Sequence, residues 1–444
     1  MYSRRARGTS AGYSGNAFPP GTESPSHILP DRDLQENLSS RPLQTLQKPD
    51  SPLASHDMTA KAIKPENVKY IGSYNWVEEI TPTIIVPGSP PIWQERHLPL
   101  SVRPDRGVRM VDQNSFRMGG ASCLLPLFRA ADVIAEENAD TSLDWSTVDI
   151  VTDRNGLRKL MRWLRHSDAT SGGQPLKEFR IDLQLGGSKT VLMHRWEQRY
   201  REIAIPPTSG YGINFERETT SPAPGCQCSA GHHRIVQYDL DGLNMIVRFE
   251  VDACTAALDP LGSTSQRTKT SRVSHETSVD ELADALTGLG VSSSESRNAS
   301  SDGPPSITVI TAGSQVAQSS VVELVTRSER NVDQFDWNEQ YPQLLLSDTP
   351  HLFLGVHNRG TFQRIKKHAL GSSELQQVET DAALQKTFRQ LVAILRSIQQ
   401  IVKTHGDRGR LSLVCEGGVL QVYERIDNSD SGRLSDSDLA RFRS

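Results

Sequence analysis

Apolar residues recur at helical spacing in two segments of the chain. The first segment follows a short apolar run, VDIV, and has apolar residues at i, i+3, i+4 and i+7: Leu157, Leu160, Met161 and Leu164. The second lies near the end of the chain and keeps the same spacing over a longer stretch: Leu384, Phe388, Leu391, Val392, Leu395 and Ile398. Because a helix repeats every 3.6 residues, we predict two amphipathic helices, the first preceded by a strand.

Short apolar runs separated by Pro and Gly turns predict strands. They begin at VKYIGSYNWVEEITPTIIVPGSPPIW and continue through EFRIDLQL, KTVLMHRW, HRIVQYDLDGLNMIVRFEVDAC, ITVIT, VVELVTR and HLFLGVHN. The pair Asp241-Gly242 and the pair Gly417-Gly418 each predict a hairpin turn. Strands at the centre with helices beside them predict an α+β fold, a mixed central sheet with flanking helices.

Composition suggests where the folded domain begins and ends. Residues 1–65 are rich in Ser, Pro, Gly and Gln without periodicity, so we expect a disordered N-terminal tail. We expect one folded domain over residues 66–426 and a disordered tail over 427–444. A Ser- and Thr-rich stretch, 258–305, reads as a low-complexity insert with one short helix, in which Ser278 and Glu281 form a capping box.

Charge and cysteine content narrow the function classes. The net charge is −4, from 49 basic and 53 acidic residues, so no global field points to nucleic acid. The five cysteines are scattered along the chain, which indicates reduced thiols. We therefore expect an intracellular protein, either nuclear or cytoplasmic. No run approaches the roughly 18 apolar residues of a membrane span, so we expect no membrane partner.

Four acids stand in or beside apolar runs, where an unpaired carboxylate is costly. GYGINFE ends in Glu216, FEVDAC contains Glu250 and Asp252, and VVELV contains Glu323. Each could be a solvent-facing acid at the end of an element. If they converge instead, their repulsion calls for divalent cations, which prefer oxygen ligands and can activate water for phosphodiester hydrolysis.

This ordered set resembles the DXO/Rai-type decapping exoribonucleases of the PD-(D/E)XK nuclease superfamily, over about residues 70–365. IVTDRNGLRKL is similar to the family's first motif, which implies that Arg154 contacts substrate. YPQLLLSDTPHLFLGVHNRG is similar to its glutamine-containing helix and following strand, which implies an active-site role for Gln343. The resemblance implies a PD-(D/E)XK-like fold, the catalytic residues Glu250, Asp252, Glu323 and Gln343, and Mg²⁺ or Mn²⁺ held by Glu216, Glu250, Asp252, Glu323 and the carbonyl of Leu324.

One position departs from the family. Where the family has Glu-x-Lys, this chain has Val325. The missing lysine would stabilise developing phosphate charge, and losing such a group typically costs about 10²- to 10³-fold in rate. Arg327 and Arg248 lie at alternating strand positions relative to Glu323 and Glu250, and either could substitute.

Three further features have competing interpretations. Arg158, Arg162 and Arg165 form a basic helix face that either meets RNA phosphates or is simply solvated, and we take Arg158 as a substrate-binding candidate. The segment CQCSAGHH suits ordinary thiols better than zinc, because its Cys-x-Cys spacing is unusual for a zinc site. For Trp76 and Trp93 we favour core packing over base stacking.

The segments SYNW, PGSPP and GHHR resemble a fungal group often labelled geranylgeranyl pyrophosphate synthetase. That activity uses Asp-rich DDxxD helices, which this strand-rich sequence lacks. We therefore expect a metal-dependent hydrolase acting on RNA 5′ ends. The alternative is a catalytically inactive pseudonuclease that binds RNA or a protein partner.

Overall fold

The computed structural model describes residues 30–50, 61–119, 121–138, 143–166, 176–256, 306–406, 410–426 and 432–443. Its strands are β1 Gln44–Leu46, β2 Glu66–Val77, β3 Thr83–Gly88, β4 Ile92–Trp93, β5 Leu100–Ser101, β6 Gly107–Met110, β7 Ile150–Asp153, β8 Phe179–Gly186, β9 Thr190–Trp196, β10 Arg201–Ala204, β11 Thr220–Ser221, β12 Ser229–Leu240, β13 Leu243–Val251, β14 Ala253–Cys254, β15 Thr308–Gly313, β16 Val321–Ser328, β17 His351–Asn358, β18 Thr361–Ala369, β19 Leu411–Glu416 and β20 Val419–Glu424.

The α-helices are α1 Gln113–Met118, α2 Leu125–Glu137, α3 Arg154–Arg165, α4 Gly212–Thr219, α5 Trp337–Leu345, α6 Ser373–Glu379, α7 Ala382–His405 and α8 Asp436–Leu439. Short 3₁₀ turns occur at Trp145–Thr147, Gln318–Ser320, Glu329–Gln334 and Ala440–Phe442. Both helices predicted from apolar spacing are present, as α3 and α7. None of the helices in the described ranges is long and apolar enough to cross a membrane.

Within the described residues the strands form two large mixed sheets and one small one. The larger sheet has the order β1-β20-β19-β8-β9-β7-β13-β12-β2-β3-β15, and the second has the order β11-β4-β14-β16-β17-β18-β5. Strands β10 and β6 pair separately. Most neighbours are antiparallel, but β7 lies parallel to both β9 and β13, β3 to β15, β4 to β14 and β16 to β17. The predicted α+β class with a mixed sheet and flanking helices is confirmed.

The larger sheet is buried on both faces. On β13, Val247 belongs to the core that contains α3 and α7, whereas its neighbour Ile246 belongs to the core that contains α2. Alternation along a strand sends successive side chains to opposite faces, so helices cover both sides of this sheet. The hairpins predicted at Asp241-Gly242 and Gly417-Gly418 join β12 to β13 and β19 to β20, and all four turn residues have positive φ.

Two predicted tails differ from the structure. Within the expected N-terminal tail, β1 pairs with β20, and Leu34 and Leu38 are buried against Trp196 and Tyr423. Within the expected C-terminal tail, Leu434, Leu439 and Phe442 are buried in the core around α2. Composition missed both segments, because a few well-placed apolar residues suffice to dock a short segment onto an existing core. The predicted insert, with its helix near Ser278, lies outside the described residues.

Candidate active site

Three elements and one connecting residue supply the four predicted acids. Glu216 lies on α4, Glu250 near the end of β13, Asp252 between β13 and β14, and Glu323 on β16. Glu323 is buried, Glu216 and Asp252 are half-buried, and Glu250 is open to water. Glu216 and Glu250 line one cavity, and Asp252 accepts a hydrogen bond from the residue that follows Glu323.

Helix α4 is held against the second sheet by Phe215. This side chain is fully buried and stacks on Phe362 with 4.4 Å between ring centroids. Gly355 on β17 makes the contact possible, because a Cβ there would lie 2.8 Å from both rings. Asp105 caps the helix from a distance in sequence, accepting a hydrogen bond of 2.9 Å from the backbone N–H of Asn214. With Phe215 anchored in the core, the next residue, Glu216, lies at the pocket.

Strand pairing brings Asp252 beside Glu323. Ala253 on β14 is the antiparallel partner of Val322 on β16, so the residues flanking this pair are neighbours. The backbone N–H of Leu324 donates a hydrogen bond of 2.8 Å to Asp252 Oδ2. This contact orients the Asp252 carboxylate toward the strand that carries Glu323.

Burial, reinforced by the crowding of like charges, governs the ionisation of the pocket. Burial, together with the charges of Glu250, Glu323 and Asp105, raises the pKa of Glu216 to about 8. Burial and the nearby charges of Glu323 and Glu216 also raise the pKa of Asp252 well above its ordinary value, although the hydrogen bond from Leu324 opposes the shift. The protein therefore leaves these acids short of positive charge.

Arg154, at the first residue of α3, is the cation that pairs with this cluster. Its Nη1 donates to Glu323 Oε2 at 3.0 Å and to Ser347 Oγ at 3.2 Å. Gln343, buried on α5, donates through Nε2 to the other oxygen of Glu323. Arg154, Gln343 and Glu323 thus meet, although 189 residues separate Arg154 from Gln343.

The remaining arginines of α3 pair with a different carboxylate. Arg158, Arg162 and Arg165 all form ion pairs with Glu339 on α5. We call this group the arginine clamp. Burial alone raises the pKa of Glu339, but hydrogen bonds and charges from Arg162 and Arg158 outweigh it and lower the pKa to about 2. Arg158 therefore binds α5 and does not point into the acid pocket.

Val325 lies on β16 two residues after Glu323 and packs, partly buried, against a small apolar cluster that includes Leu344 and Leu354. Of the two suggested substitutes for the family lysine, Arg248 is fully buried. Its Nε and Nη2 donate to Asp153 at 2.6 and 2.9 Å. Arg327 lies farther along β16 with its guanidinium 5.7 Å from the ring centre of Phe335. Arg248 is committed to Asp153, so only Arg327 remains a candidate.

A divalent cation fits this donor set chemically, because carboxylate oxygens that raise one another's pKa are relieved by such an ion. In this arrangement, however, the carboxylates are not positioned together around one ion. In the part of the chain that the structure describes, no three His, Cys, Asp or Glu side chains are grouped to hold a metal together. Glu323 is bound to Arg154 and Gln343, and Asp252 to a backbone N–H.

A cavity of about 220 Å³ adjoins the acids. Glu216 and Glu250 form part of its wall, together with Pro91, Ala223 and His232. His232 Nδ1 donates a hydrogen bond of 2.7 Å to Asn75 Oδ1. The cavity gives a small substrate group room beside the carboxylates.

The other sequence candidates lie in the core or are free thiols. Trp76 and Trp93 are buried in two cores, as favoured. Cys226 is buried and Cys228 is exposed, and both are free thiols. His233 stacks on Tyr74 with 5.0 Å between centroids.

Three residues at the site were missed by sequence reasoning: Asp105, Glu339 and Ser347. Each acts through a partner distant in the chain, and 181 residues separate Arg158 from Glu339. A single acid or serine in a loop or helix gives no local signal of such a partner.

Two solved structures are similar in fold to this chain. Rai1 of Scheffersomyces stipitis, in complex with (3′-NADP)⁺ and calcium ion, matches with a TM-score of 0.54 and 11% identity, over 90% of this chain and 99% of that one. Candida albicans Rai1, in complex with pU5-Mn²⁺, matches with a TM-score of 0.51 and 10% identity, over 86% and 96%. At such identities the likeness shows the fold, and the expected Rai-type architecture is confirmed.

No curated protein matches the sequence. A family model does match residues 50–431, and it describes a domain of unknown function. Since this match spans most of the chain, the protein belongs to the family of the domain of unknown function DUF8563.

Proposed function

We propose that this protein is a divalent-metal-dependent hydrolase acting on RNA 5′ ends. The observation that carries the proposal is that acids from distant parts of the chain lie near one another: Glu216 and Glu250 line one cavity, and Asp252 accepts a hydrogen bond from the residue after Glu323. Burial and neighbouring acids raise the pKa of Glu216 to about 8. Holding acids in mutual repulsion is costly, and a cation with a phosphate substrate offsets that cost. The solved Rai1 structure with pU5-Mn²⁺ supports this ligand chemistry through its shared fold.

The four carboxylates and the Leu324 carbonyl would hold Mg²⁺ or Mn²⁺, which would supply Lewis-acid stabilisation of phosphate charge and activate water. The chain's own groups bind the RNA. Arg154 and Gln343 both lie at Glu323, so releasing that contact would direct their N–H donors at a 5′ phosphate. The neighbouring cavity of about 220 Å³ would admit the terminal nucleotide or cap group.

The test is Mn²⁺-dependent hydrolysis of capped and 5′-phosphorylated RNA by the full chain. We expect measurable cleavage in the wild type and none in Asp252→Asn, which keeps the shape but removes a ligand charge. Asp241→Asn is the matched control, since Asp241 lies at a distant, half-exposed hairpin turn where Asn also tolerates positive φ. Equal activity in wild type and Asp252→Asn would defeat the proposal.

A second function is favoured by two observations: Val325 offers no positive charge, and Arg154 already neutralises Glu323. On this view the protein is a pseudonuclease that binds RNA 5′ ends, or a protein partner, without cleaving. RNA binding that survives without cleavage and weakens in Arg154→Gln would select the RNA-binding form. A chain that neither binds nor cleaves RNA would defeat both RNA functions.

A further inference from the structure

A second polar cavity, of about 150 Å³, is lined by residues of the N-terminal segment, β8, β9 and the C-terminal region. A water molecule takes roughly 30 Å³ in the liquid, so this space exceeds the needs of one or two waters. None of the four pocket carboxylates lines it. Its charged lining consists of four arginines and two acids: Arg32, Arg180, Arg195, Arg425, Asp182 and Glu36.

Arg32 has a half-buried positive charge without a carboxylate partner among the described residues. Its Nε donates to the backbone carbonyl of Glu197 at 2.9 Å. Its guanidinium lies 4.1 Å from the ring centre of Trp196 and 4.8 Å from that of Tyr200. Burial lowers the pKa of Arg32, which reflects the cost of holding this charge away from water. An anion in the cavity would offset that cost.

Asp182, the buried one of the two acids on the cavity wall, is already neutralised. Asp182 accepts from Arg180 Nε at 2.6 Å and from Ser412 Oγ at 2.7 Å, and it lies 3.6 Å from Arg425 Nη1. Arg180 and Arg425 therefore lie at one buried carboxylate. Arg195 is in turn ion-paired with Glu197 and Asp112, so Arg32 is the cavity arginine whose charge a bound anion would meet.

His194 adds a neutral donor to the same wall. The ring is buried, and burial lowers its pKa to about 4. Nδ1 lies 3.2 Å from Ser122 Oγ, whereas Nε2 is buried with no hydrogen-bond partner within the described ranges. If Ser122 donates to Nδ1, the imidazole proton resides on Nε2 and is available to an acceptor. A polar atom left unpaired in this way costs free energy that a bound acceptor recovers.

We propose that this cavity binds the phosphoryl group of a small molecule, such as inorganic phosphate or pyrophosphate. Guanidinium forks match phosphate oxygens in a bidentate manner, and the cavity volume suits a small anion. The site is separate from the acid pocket, so the proposal stands whether or not the protein hydrolyses RNA.

The test measures phosphate and pyrophosphate binding to the full chain by calorimetry and by the shift in Tm, with sodium chloride at matched ionic strength. We expect both anions to raise Tm beyond the chloride control. Arg32→Gln should weaken their binding about tenfold or more. The control Arg109→Gln removes another arginine, which is exposed and pairs with Glu202, and should bind like the wild type.

Several outcomes overturn the proposal. One is a wild type that responds to phosphate no more than to chloride. Another is binding that is equal in wild type and Arg32→Gln. A 5′-phosphorylated oligonucleotide forms the third arm: Arg32-dependent binding of it alone, without inorganic phosphate or pyrophosphate, would assign the cavity to RNA. Because Arg32 also packs on Trp196, Arg32→Lys serves as a second variant, which keeps the charge and should bind more weakly than wild type.

Discussion

The two ends of α3 lie in opposite electrostatic surroundings. At its start, Arg154 is bound to Glu323 in a pocket with three further acids, and the pKa of Glu216 is raised to about 8. Along the rest of the helix, three arginines share Glu339, whose pKa is lowered to about 2. The protein thus neutralises Glu339 with its own arginines, whereas it leaves the acid pocket short of positive charge. A pocket of this second kind is a candidate ligand-binding site.

The largest expected effect comes from adding positive charge to the acid pocket. Val325→Lys should raise Mn²⁺-dependent hydrolysis of capped or 5′-phosphorylated RNA by about 10²- to 10³-fold, because it restores a cation beside the scissile phosphate. Initial rates under single-turnover conditions measure the change. Val325→Met is the control for side-chain length, and it should leave the rate unchanged.

Combining Val325→Lys with Asp252→Ala should abolish the gain, since the cation ligand is lost. A wild type that already cleaves rapidly, and loses this activity in Arg327→Ala, would instead mean that Arg327 has taken over the lysine's role. That result would contradict the view that the pocket lacks a catalytic positive charge.

A smaller effect is expected from removing Arg154, the cation that pairs with Glu323 among the described residues. Arg154→Gln frees Glu323 and makes the pocket more negative, so Mn²⁺ affinity should rise about tenfold while affinity for 5′-phosphorylated RNA falls. Calorimetry with Mn²⁺ alone measures the first change without reference to activity. Arg158→Gln is a control from the same helix, because Arg158 binds Glu339, and its Mn²⁺ affinity should match the wild type. An unchanged Mn²⁺ affinity in Arg154→Gln would contradict a competition between Arg154 and the metal.

The arginine clamp should contribute to stability in a pH-dependent way. The folded-state pKa of Glu339 is depressed, so its contribution is present above the ordinary value of 4.5 and is lost as pH falls toward about 2. Glu339→Gln should lower the free energy of unfolding by about 1 kcal/mol at pH 6, after allowance for solvent screening of this partly exposed group. Urea unfolding at several pH values checks this, with Glu202→Gln as a surface control. A gap between wild type and Glu339→Gln that stays constant down to pH 2 would contradict the assignment.

Sequence periodicity predicted the parts of the fold that repeat locally. Apolar spacing identified α3 and α7, and an Asp-Gly and a Gly-Gly pair identified two hairpins, because each pattern depends on neighbours within a few residues. The segment around Leu34 and Leu38 was missed, since its burial depends on Trp196 and Tyr423 far along the chain.

The site predictions were limited in the same way, because contacts between residues far apart in sequence leave no local pattern. The prediction that the four acids converge rested on their family resemblance, not on their spacing. Sequence reasoning grouped Arg158 with the substrate-binding residues because it lies one turn beyond Arg154. The structure places it on Glu339, a partner that no local pattern reveals. Likewise, strand alternation put Arg248 on the same face as Glu250. It could not show that Arg248 already donates through Nε and Nη2 to Asp153.

The smallest expected effect concerns RNA binding by the clamp. Three arginines share one carboxylate, so the clamp retains excess positive charge, and Arg162 is its most exposed member at 39% side-chain exposure. Because a phosphate contact releases counterions, Arg162→Gln should weaken RNA binding only a few-fold and should reduce the salt dependence of binding by about one counterion. Fluorescence anisotropy over a salt series measures both. Arg109→Gln, which removes an equally charged exposed side chain from the distant β6, is the control. An unchanged salt slope in Arg162→Gln would mean that RNA does not run along α3, and that the clamp serves only to join α3 to α5.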